Sequence, residues 1–169
     1  MSGDDGLIAQ QIPRLRRYAR ALTGDRSAAD DLVQDTLERA LSRYHLWRRG
    51  SDLRAWLFTI MHNIYVNQVR ARSRHQHEAL EPDSGAEALR GRDPDWLELR
   101  DLASALARIP EEQRAVVLLV GLEQFTYDEA ARVLDIPIGT VMSRLSRGRE
   151  RLRALIGGDT NVTSLKVVK

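Results

Sequence analysis

The sequence predicts an all-α protein made of two small helical domains that a flexible linker joins. Apolar residues recur every three or four positions in several segments, as on one face of a helix, and no segment alternates like a half-buried strand. This periodicity fails between residues 73 and 93, which are polar and contain Pro82, Gly85 and Gly91. We therefore expect a first domain at residues 1–75, a linker at 76–93, a second domain at 94–156 and a disordered tail at 157–169.

The composition excludes several kinds of site. The 169 residues, 43% of them hydrophobic, suffice for a packed core, but they include no cysteine. Disulfides, thiolate zinc sites and cysteine nucleophiles are therefore ruled out. The histidines, at positions 45, 62, 75 and 77, lack the spacing of a metal site. With no membrane-length apolar run and no signal-peptide pattern, we expect a cytoplasmic protein without cofactor, metal, small-molecule substrate, membrane insertion or catalytic residue.

Two helices are predicted before residue 45. The first carries apolar residues at steps of three and four from Ile8 to Leu22, and Thr23-Gly24 ends it. Ser27 and Asp30 have the spacing of a capping box, so we expect them to cap the second helix. The broad apolar face of that helix consists of Leu32, Val33, Thr36, Leu37, Ala40, Leu41 and Tyr44.

Charged residues are distributed unevenly, although the formal net charge is only +2. Residues 25–38, on the second helix, contain five acids and one arginine. Residues 62–77 contain three arginines and no acid. Acidic and basic surfaces are thus segregated, which is typical of a protein whose parts bind different partners.

A third helix is expected from about residue 52 to residue 72, after a turn that contains Gly50. One face of this helix is apolar. The other face consists of Thr59, His62, Asn63, Asn67, Arg70 and Arg72. Asparagines offer a donor and an acceptor to base edges, and arginines bind phosphates. An ordinary solvated helix face would account for the same pattern, and spacing alone leaves both interpretations open.

The second domain is expected to end in a helix-turn-helix over residues 126–153. Two helices precede it, one beginning at Asp93-Pro94 and the other after Pro110. The segment Thr126–Glu129 has the spacing of a capping box and starts the first helix of the motif. Pro137 separates this helix from the second, which Gly139-Thr140 should open.

The second helix of the motif is rich in arginine. Residues 139–153 hold five arginines and one acid, Glu150. Helical spacing leaves Thr140, Ser143, Arg144 and Arg147 facing outward. Such a helix can lie in a DNA major groove. The alternative is a helical hairpin that is basic only for solubility.

Three blocks of the chain resemble bacterial sigma factors, and together they cover most of it. The blocks are DDLVQDTLERAL, WLFTIMHNIYVNQVR and LARIPEEQRAVVLLVGLEQFTYDEAARVLDIPIGTVMSRLSRGRERLR. Size and two-domain layout resemble the extracytoplasmic-function (ECF) group, which keeps only the second and fourth sigma domains. The resemblance implies that domain 1–75 is sigma domain 2 and that domain 94–156 is sigma domain 4.

The resemblance implies three contact surfaces and no chemistry of the protein's own. The core RNA polymerase would be bound by Asp30, Asp31, Gln34, Asp35 and Glu38, with Leu37 packing beneath them. The −10 promoter element would be melted and bound by Trp56, Thr59, Asn63, Asn67, Arg70 and Arg72. The −35 element would be bound by Thr140, Ser143, Arg144, Arg147 and Arg149. The family also implies a cognate anti-sigma factor, although no residue of this chain indicates one.

Two positions depart from the family pattern. Met142 and Ser146 stand where some relatives carry arginine and a large aromatic residue, so the −35 sequence that this protein prefers does not follow from the resemblance.

Three other functions account for part of the sequence. A sigma-like decoy would bind an anti-sigma factor without engaging DNA, but it should lack Arg144 and Arg147 and carry a receiver domain, for which we expect no room. A simple repressor or activator would leave the acidic second helix and the Asn63/Asn67 face without a role. A nucleic-acid enzyme could use Asp30 and Asp31 to hold Mg²⁺, but no matching acidic cluster accompanies them.

Overall fold

The protein is helical throughout the parts that the structure, a computed structural model, describes: residues 3–76 and 94–157. The helices are α1 (Gly3–Thr23), α2 (Arg26–Ser42), α3 (Leu53–Gln76), α4 (Pro94–Arg108), α5 (Glu111–Val117), α6 (Tyr127–Leu134) and α7 (Ile138–Ile156). A 3₁₀ turn covers Tyr44–Leu46, and a π-helical turn covers Leu118–Leu122. The all-α prediction is confirmed. Most of the predicted linker and tail, at residues 77–93 and 158–169, lies outside the described residues.

The first three helices form a small bundle in which α2 packs against both α1 and α3. Leu15, Leu32 and Leu57, one from each helix, are fully buried at its centre. The rings of Tyr18 and Phe58 meet edge to face with their centroids 5.1 Å apart, an arrangement that aromatic pairs prefer. The apolar spacing predicted from the sequence therefore produces the expected core.

Two details of α2 differ from the expectation. The N-cap is Asp25, whose carboxylate accepts hydrogen bonds from the backbone N–H groups of Ser27 and Ala28 at 3.3 and 3.1 Å. The predicted capping by Ser27 and Asp30 is wrong, because Asp25 has the extended backbone that an N-cap requires while Ser27 already lies inside the helix. Leu41, expected on the apolar face, is 55% exposed near the end of α2.

Helices α4 to α7 build a second core around Val116, Leu119 and Leu145. Helix α7 approaches α5 closely at Gly148. A Cβ atom at that position would lie 2.7 Å from a side-chain methyl of Val117 and 3.4 Å from Cβ of Gln113. Glycine at residue 148 thus sets the distance between the two helices.

The helix-turn-helix begins at the predicted cap, and its second helix ends at Ile156, three residues beyond the predicted end at residue 153. The Thr126 hydroxyl oxygen accepts a hydrogen bond from the backbone N–H of Glu129 at 3.2 Å, so the predicted cap of α6 is present. Asp135 adopts a left-handed conformation after α6, with φ of 53°. Helix α7 begins at Ile138, one residue before the expected Gly139-Thr140, because Pro137 serves as its N-cap with an extended backbone.

The two bundles pack against each other and share one continuous hydrophobic core. Contacts join α1 to α4, α5 and the π-helical turn, and α3 to α6. The rings of Phe58 in α3 and Phe125, just before α6, meet edge to face with their centroids 5.2 Å apart. The described helices therefore adopt a closed arrangement, which the sequence left open.

Candidate nucleic-acid interface

Helix α7 presents a largely polar face because most of its apolar residues pack on one side. Val141, Leu145, Gly148 and Leu152 are buried at helical spacing. Among the predicted −35 residues, Ser143 and Arg147 are exposed on the opposite side. Thr140, Arg144 and Arg149 are partly buried.

Arg144 is held loosely by a neighbouring helix. Its guanidinium lies 3.8 Å from the carboxylate of Glu112 in α5, and the Glu112 side chain is 74% exposed. An ion pair with such exposure contributes little free energy, so Arg144 can exchange it for a base or a phosphate.

The face of α3 predicted to bind the −10 element is largely exposed. Asn63, Asn67, Arg70 and Arg72 all reach solvent. Thr59 is partly buried, and its hydroxyl donates to the backbone carbonyl of Ala55 at 2.8 Å, which leaves its oxygen lone pairs as acceptors.

Trp56 lies in an aromatic cluster at the start of α3. Its ring centroid is 6.4 Å from that of Tyr44 and 6.5 Å from that of Trp47. Tyr44 and Trp47 are themselves 5.4 Å apart. Tyr44 and Trp47 come from the turn between α2 and α3, and the local sequence pattern did not predict the path of that turn.

His62 departs from the expected polar face. Its imidazole is mostly buried, and burial together with the nearby positive charge of Arg144 lowers its pKa to about 4. The Nδ1 atom is buried without a hydrogen-bond partner. Residues of α3 and α7 that were each expected to face outward therefore lie near one another in the closed arrangement.

The acidic surface predicted on α2 is present and exposed. Asp30, Asp31, Gln34, Asp35 and Glu38 all reach solvent, while Leu37 is partly buried against the core. The Asp35 carboxylate accepts one hydrogen bond, from the side-chain amide of Gln68 at 3.4 Å. The surface therefore concentrates negative charge on one face without internal neutralisation by a described ion pair.

Sequence reasoning missed the polar contacts that join the two bundles. The Arg17 guanidinium donates two hydrogen bonds to the Glu123 carboxylate, both at 3.1 Å, and the Glu123 side chain is completely buried. The sequence contains one indication that Glu123 is buried, which is that it directly follows the apolar run Val116–Leu122.

Two further arginines fix the interface. Arg54 in α3 donates to the backbone carbonyl of Glu123 at 3.1 Å and pairs with Glu129 at 3.3 Å, and its guanidinium lies 4.1 Å from the centroid of the Phe125 ring. Buried Arg114 donates to the carbonyl of Leu22 at 3.0 Å and to carbonyls at the end of α4. The positive charge of Arg114 thus lies at the C-termini of α1 and α4, where the helix dipoles favour a cation.

Across the residues that the structure describes, no group of three or more His, Asp and Glu side chains could hold a metal ion. Within the same ranges, no helix is both long and apolar enough to cross a membrane.

Two family models match the chain. One, described as the Sigma2 domain of PhyR, matches residues 8–62, and the other, described as Sigma-70, region 4, matches residues 99–152. The first covers most of α1, all of α2 and part of α3. The second spans the helix-turn-helix and the helices before it.

A curated relative is similar to this chain over most of its sequence, and two solved structures are similar to it over most of its fold. The ECF RNA polymerase sigma factor EcfG of Rhodopseudomonas palustris is 39% identical over 155 residues, 90% of this chain and 83% of that protein. The sigma factor RpoE in complex with the anti-sigma factor NepR from Bartonella quintana matches with a TM-score of 0.86 and 34% identity, covering 95% of this chain and 100% of that one. The PhyR stress response regulator matches with a TM-score of 0.52 and 30% identity, over 84% of this chain and 47% of that one.

Proposed function

This chain belongs to the ECF RNA polymerase sigma factors, and from this we propose that it binds core RNA polymerase in the cytoplasm and directs it to promoters. It recognises the −35 and −10 elements, helps to melt the DNA and carries out no chemistry itself. The observation that supports this most directly is the presence of exposed surfaces on three helices, acidic on α2 and polar to basic on α3 and α7, in the helices that match the two sigma domains.

The acidic surface of α2 binds the polymerase. Five polar or acidic side chains face solvent there, and Leu37 anchors them to the core. Opposite charge on a partner steers association and fixes its register. A basic surface on core polymerase is the expected partner.

The exposed face of α3 binds the −10 element. Flipping a base out of the duplex costs a few kcal/mol, so a protein that captures one needs polar groups already in place. Asn63 and Asn67 supply donors and acceptors, and Arg70 and Arg72 follow the strand as phosphate contacts. Trp56 supports the start of this face from within its aromatic cluster.

Helix α7 reads the −35 duplex in the major groove. The side chains that we assign to this contact are short hydroxyls and long cations: Thr140, Ser143, Arg144, Arg147 and Arg149. Arginine pairs well with guanine edges and phosphates. The helix-turn-helix holds these groups on a rigid element, as specific base contacts require.

An anti-sigma factor is the expected regulator. The closed arrangement of the two bundles matches, across nearly the entire chain, that of a sigma factor solved with an anti-sigma factor. We expect such a factor to bind and stabilise the closed arrangement.

A sigma-like decoy is the second candidate function, and one observation favours it: the family model that matches residues 8–62 is named for PhyR. A decoy does not bind DNA, so it does not require exposed cations on the helix that corresponds to α7. Arg147 is exposed on α7, and the structural likeness to the RpoE sigma factor is closer than that to PhyR. We therefore favour the sigma factor over the decoy.

Run-off transcription with purified core polymerase on a promoter library tests the proposal. Transcripts that share a two-element promoter motif and appear only when this protein is added would support it. The Asp35→Arg variant should lose both transcription and recovery of core polymerase in a pull-down, whereas Asp5→Arg, the same charge change on exposed α1, should retain both. A wild-type protein that neither binds core polymerase nor stimulates transcription would exclude the sigma function.

A further inference from the structure

A large apolar side chain lies on the exposed part of the helix that reads DNA. Met142 is 52% exposed, although most large apolar residues among the described ranges are buried. Neither a described polar contact nor the hydrophobic core makes use of its outer surface. Its thioether side chain is therefore available for contact with a partner outside the folded chain.

The position of Met142 around α7 places it at the edge of the polar face. Successive residues of an α-helix are separated by about 100°, so Met142 lies beside Ser143 and a quarter turn from the buried Val141. Arg144 and Arg147 lie on the other side of Ser143. Over residues 138–147, the first half of α7, the surface that meets the groove thus has a cationic side and an apolar side, and Arg149 lies on the side of Met142 about two turns further on.

The neighbouring apolar residue does not explain Met142. Ile138, one turn earlier, lines a shallow hollow against α6 together with Ala131 and Ile136, and it is 43% exposed. Met142 is not part of the lining of that hollow. Its exposed surface is therefore free to meet DNA when α7 enters the groove.

The major groove offers one apolar group on the base edges, the C5-methyl of thymine. A thioether side chain is flexible and polarizable, and it provides no strong donor or acceptor for the other base edges. We propose that Met142 contacts a thymine methyl in the −35 element and sets a preference for thymine at that position. This inference rests on the proposed −35 recognition by α7.

Deoxyuridine substitution isolates this contact, since it removes the methyl group and leaves every hydrogen-bonding group of the base pair in place. The −35 duplex would first be selected from a random library with the full chain, and each thymine would then be replaced in turn. For the wild-type protein, one replacement should weaken binding about four-fold, the effect of losing one buried methyl group. The other thymines should show smaller changes.

Substitutions at residue 142 link that effect to the side chain. Met142→Gln, of similar length but polar, should lose the sensitivity to deoxyuridine, and Met142→Leu should keep it. Leu46→Ala removes another exposed apolar side chain, one outside the helix-turn-helix, and should bind both duplexes as the wild type does. Circular dichroism would establish that all three variants are folded.

The outcomes separate this inference from the proposed function. A selected −35 element whose thymines all tolerate deoxyuridine, or an equal loss for wild type and Met142→Gln, would overturn the methyl contact and leave −35 recognition standing. Failure to select any duplex would count against the −35 recognition itself, and the methyl contact would fall with it. A Met142→Gln protein that binds DNA normally but loses a protein partner would assign the exposed surface to that partner instead.

Discussion

Arg144 occupies a position in which a weak internal contact can give way to a DNA contact. Its ion pair with Glu112 is long and exposed, and its loss should change the free energy of unfolding little. We predict that Arg144→Ala weakens −35 binding by about 1–3 kcal/mol, as expected for a base-contacting arginine, while core binding is unchanged. Gel-shift titration with the −35 duplex measures the first effect and a polymerase pull-down the second.

Glu112→Gln is the matched control for Arg144. It removes the internal ion pair but keeps the arginine, so DNA affinity should stay the same or rise slightly. Equal losses in the two variants would indicate that the ion pair, and not a DNA contact, accounts for the effect of Arg144→Ala.

His62 makes the stability of the protein depend on pH. Its pKa is lowered from 6.5 to about 4 by burial and by Arg144, so the unfolded chain binds a proton that the folded chain rejects. The contribution of His62 is complete above pH 6.5 and is lost as the pH falls through the window down to about 4. Between pH 7 and pH 5 it should reduce the free energy of unfolding by at most about 2 kcal/mol.

Urea denaturation at both pH values measures this contribution as a difference between two proteins. His62→Gln cannot take up a proton, so its loss of stability on acidification should be smaller than that of the wild type. Identical pH dependence in the two proteins would mean that His62 is protonated as readily in the folded state as in the unfolded one.

At the level of elements, the contact between α5 and α7 depends on a missing side chain. Gly148→Ala should destabilise the protein by about 1–3 kcal/mol, because the new methyl group would overlap Val117. The higher helix propensity of alanine contributes up to about 1 kcal/mol in the opposite direction, which is too little to offset the overlap. Gly139→Ala is the control, since no atom outside its own helix lies within 4 Å of the added carbon. Chemical denaturation should show the first variant to be less stable and the second to be unchanged or more stable.

The end of a helix can be predicted from the sequence when neighbouring residues alone determine which one caps it. The α6 cap follows from the three-residue spacing of Thr126 and Glu129, and the prediction is confirmed. The three-residue spacing of Ser27 and Asp30 predicts a cap for α2 in the same way, but Asp25 is the N-cap in the structure. Where two polar residues could cap the same helix, the backbone conformation determines which of them is the N-cap. The spacing of residues in the sequence does not reveal that conformation.

At the level of the whole molecule, the same limit applies to the domain arrangement. Arg17 and Glu123 are 106 residues apart, so no local pattern links them. The exposed residues of the candidate site could be predicted because each lies opposite an apolar stripe on its own helix. His62 could not, since its burial comes from the docking of the second bundle.

The closed arrangement and promoter binding are in conflict. The −35 and −10 elements are separated by about 25 base pairs, or ~85 Å at 3.4 Å per base pair. In the closed arrangement His62 of α3 lies close enough to Arg144 of α7 for the charge of one to shift the pKa of the other. The two bundles must therefore separate before both elements can be bound.

Loss of the Arg17–Glu123 pair should shift the protein towards the open arrangement. Arg17→Met would leave a buried carboxylate without its partner, and we expect closing to become less favourable by about 1–3 kcal/mol, less than for a fully buried pair because the Arg17 side chain is 53% exposed. The chain has no cysteine, so spin labels on Ser73→Cys and Glu150→Cys can report the distance between the bundles. This distance should lengthen in Arg17→Met and stay unchanged in the control Arg16→Met.

The double variant Arg17→Met/Glu123→Gln tests the reason for the opening. It should restore part of the closed population, because no buried charge is then unpaired. If the distance is the same in Arg17→Met, in the double variant and in the wild type, the apolar contacts around Phe58 and Phe125 hold the bundles together without the ion pair.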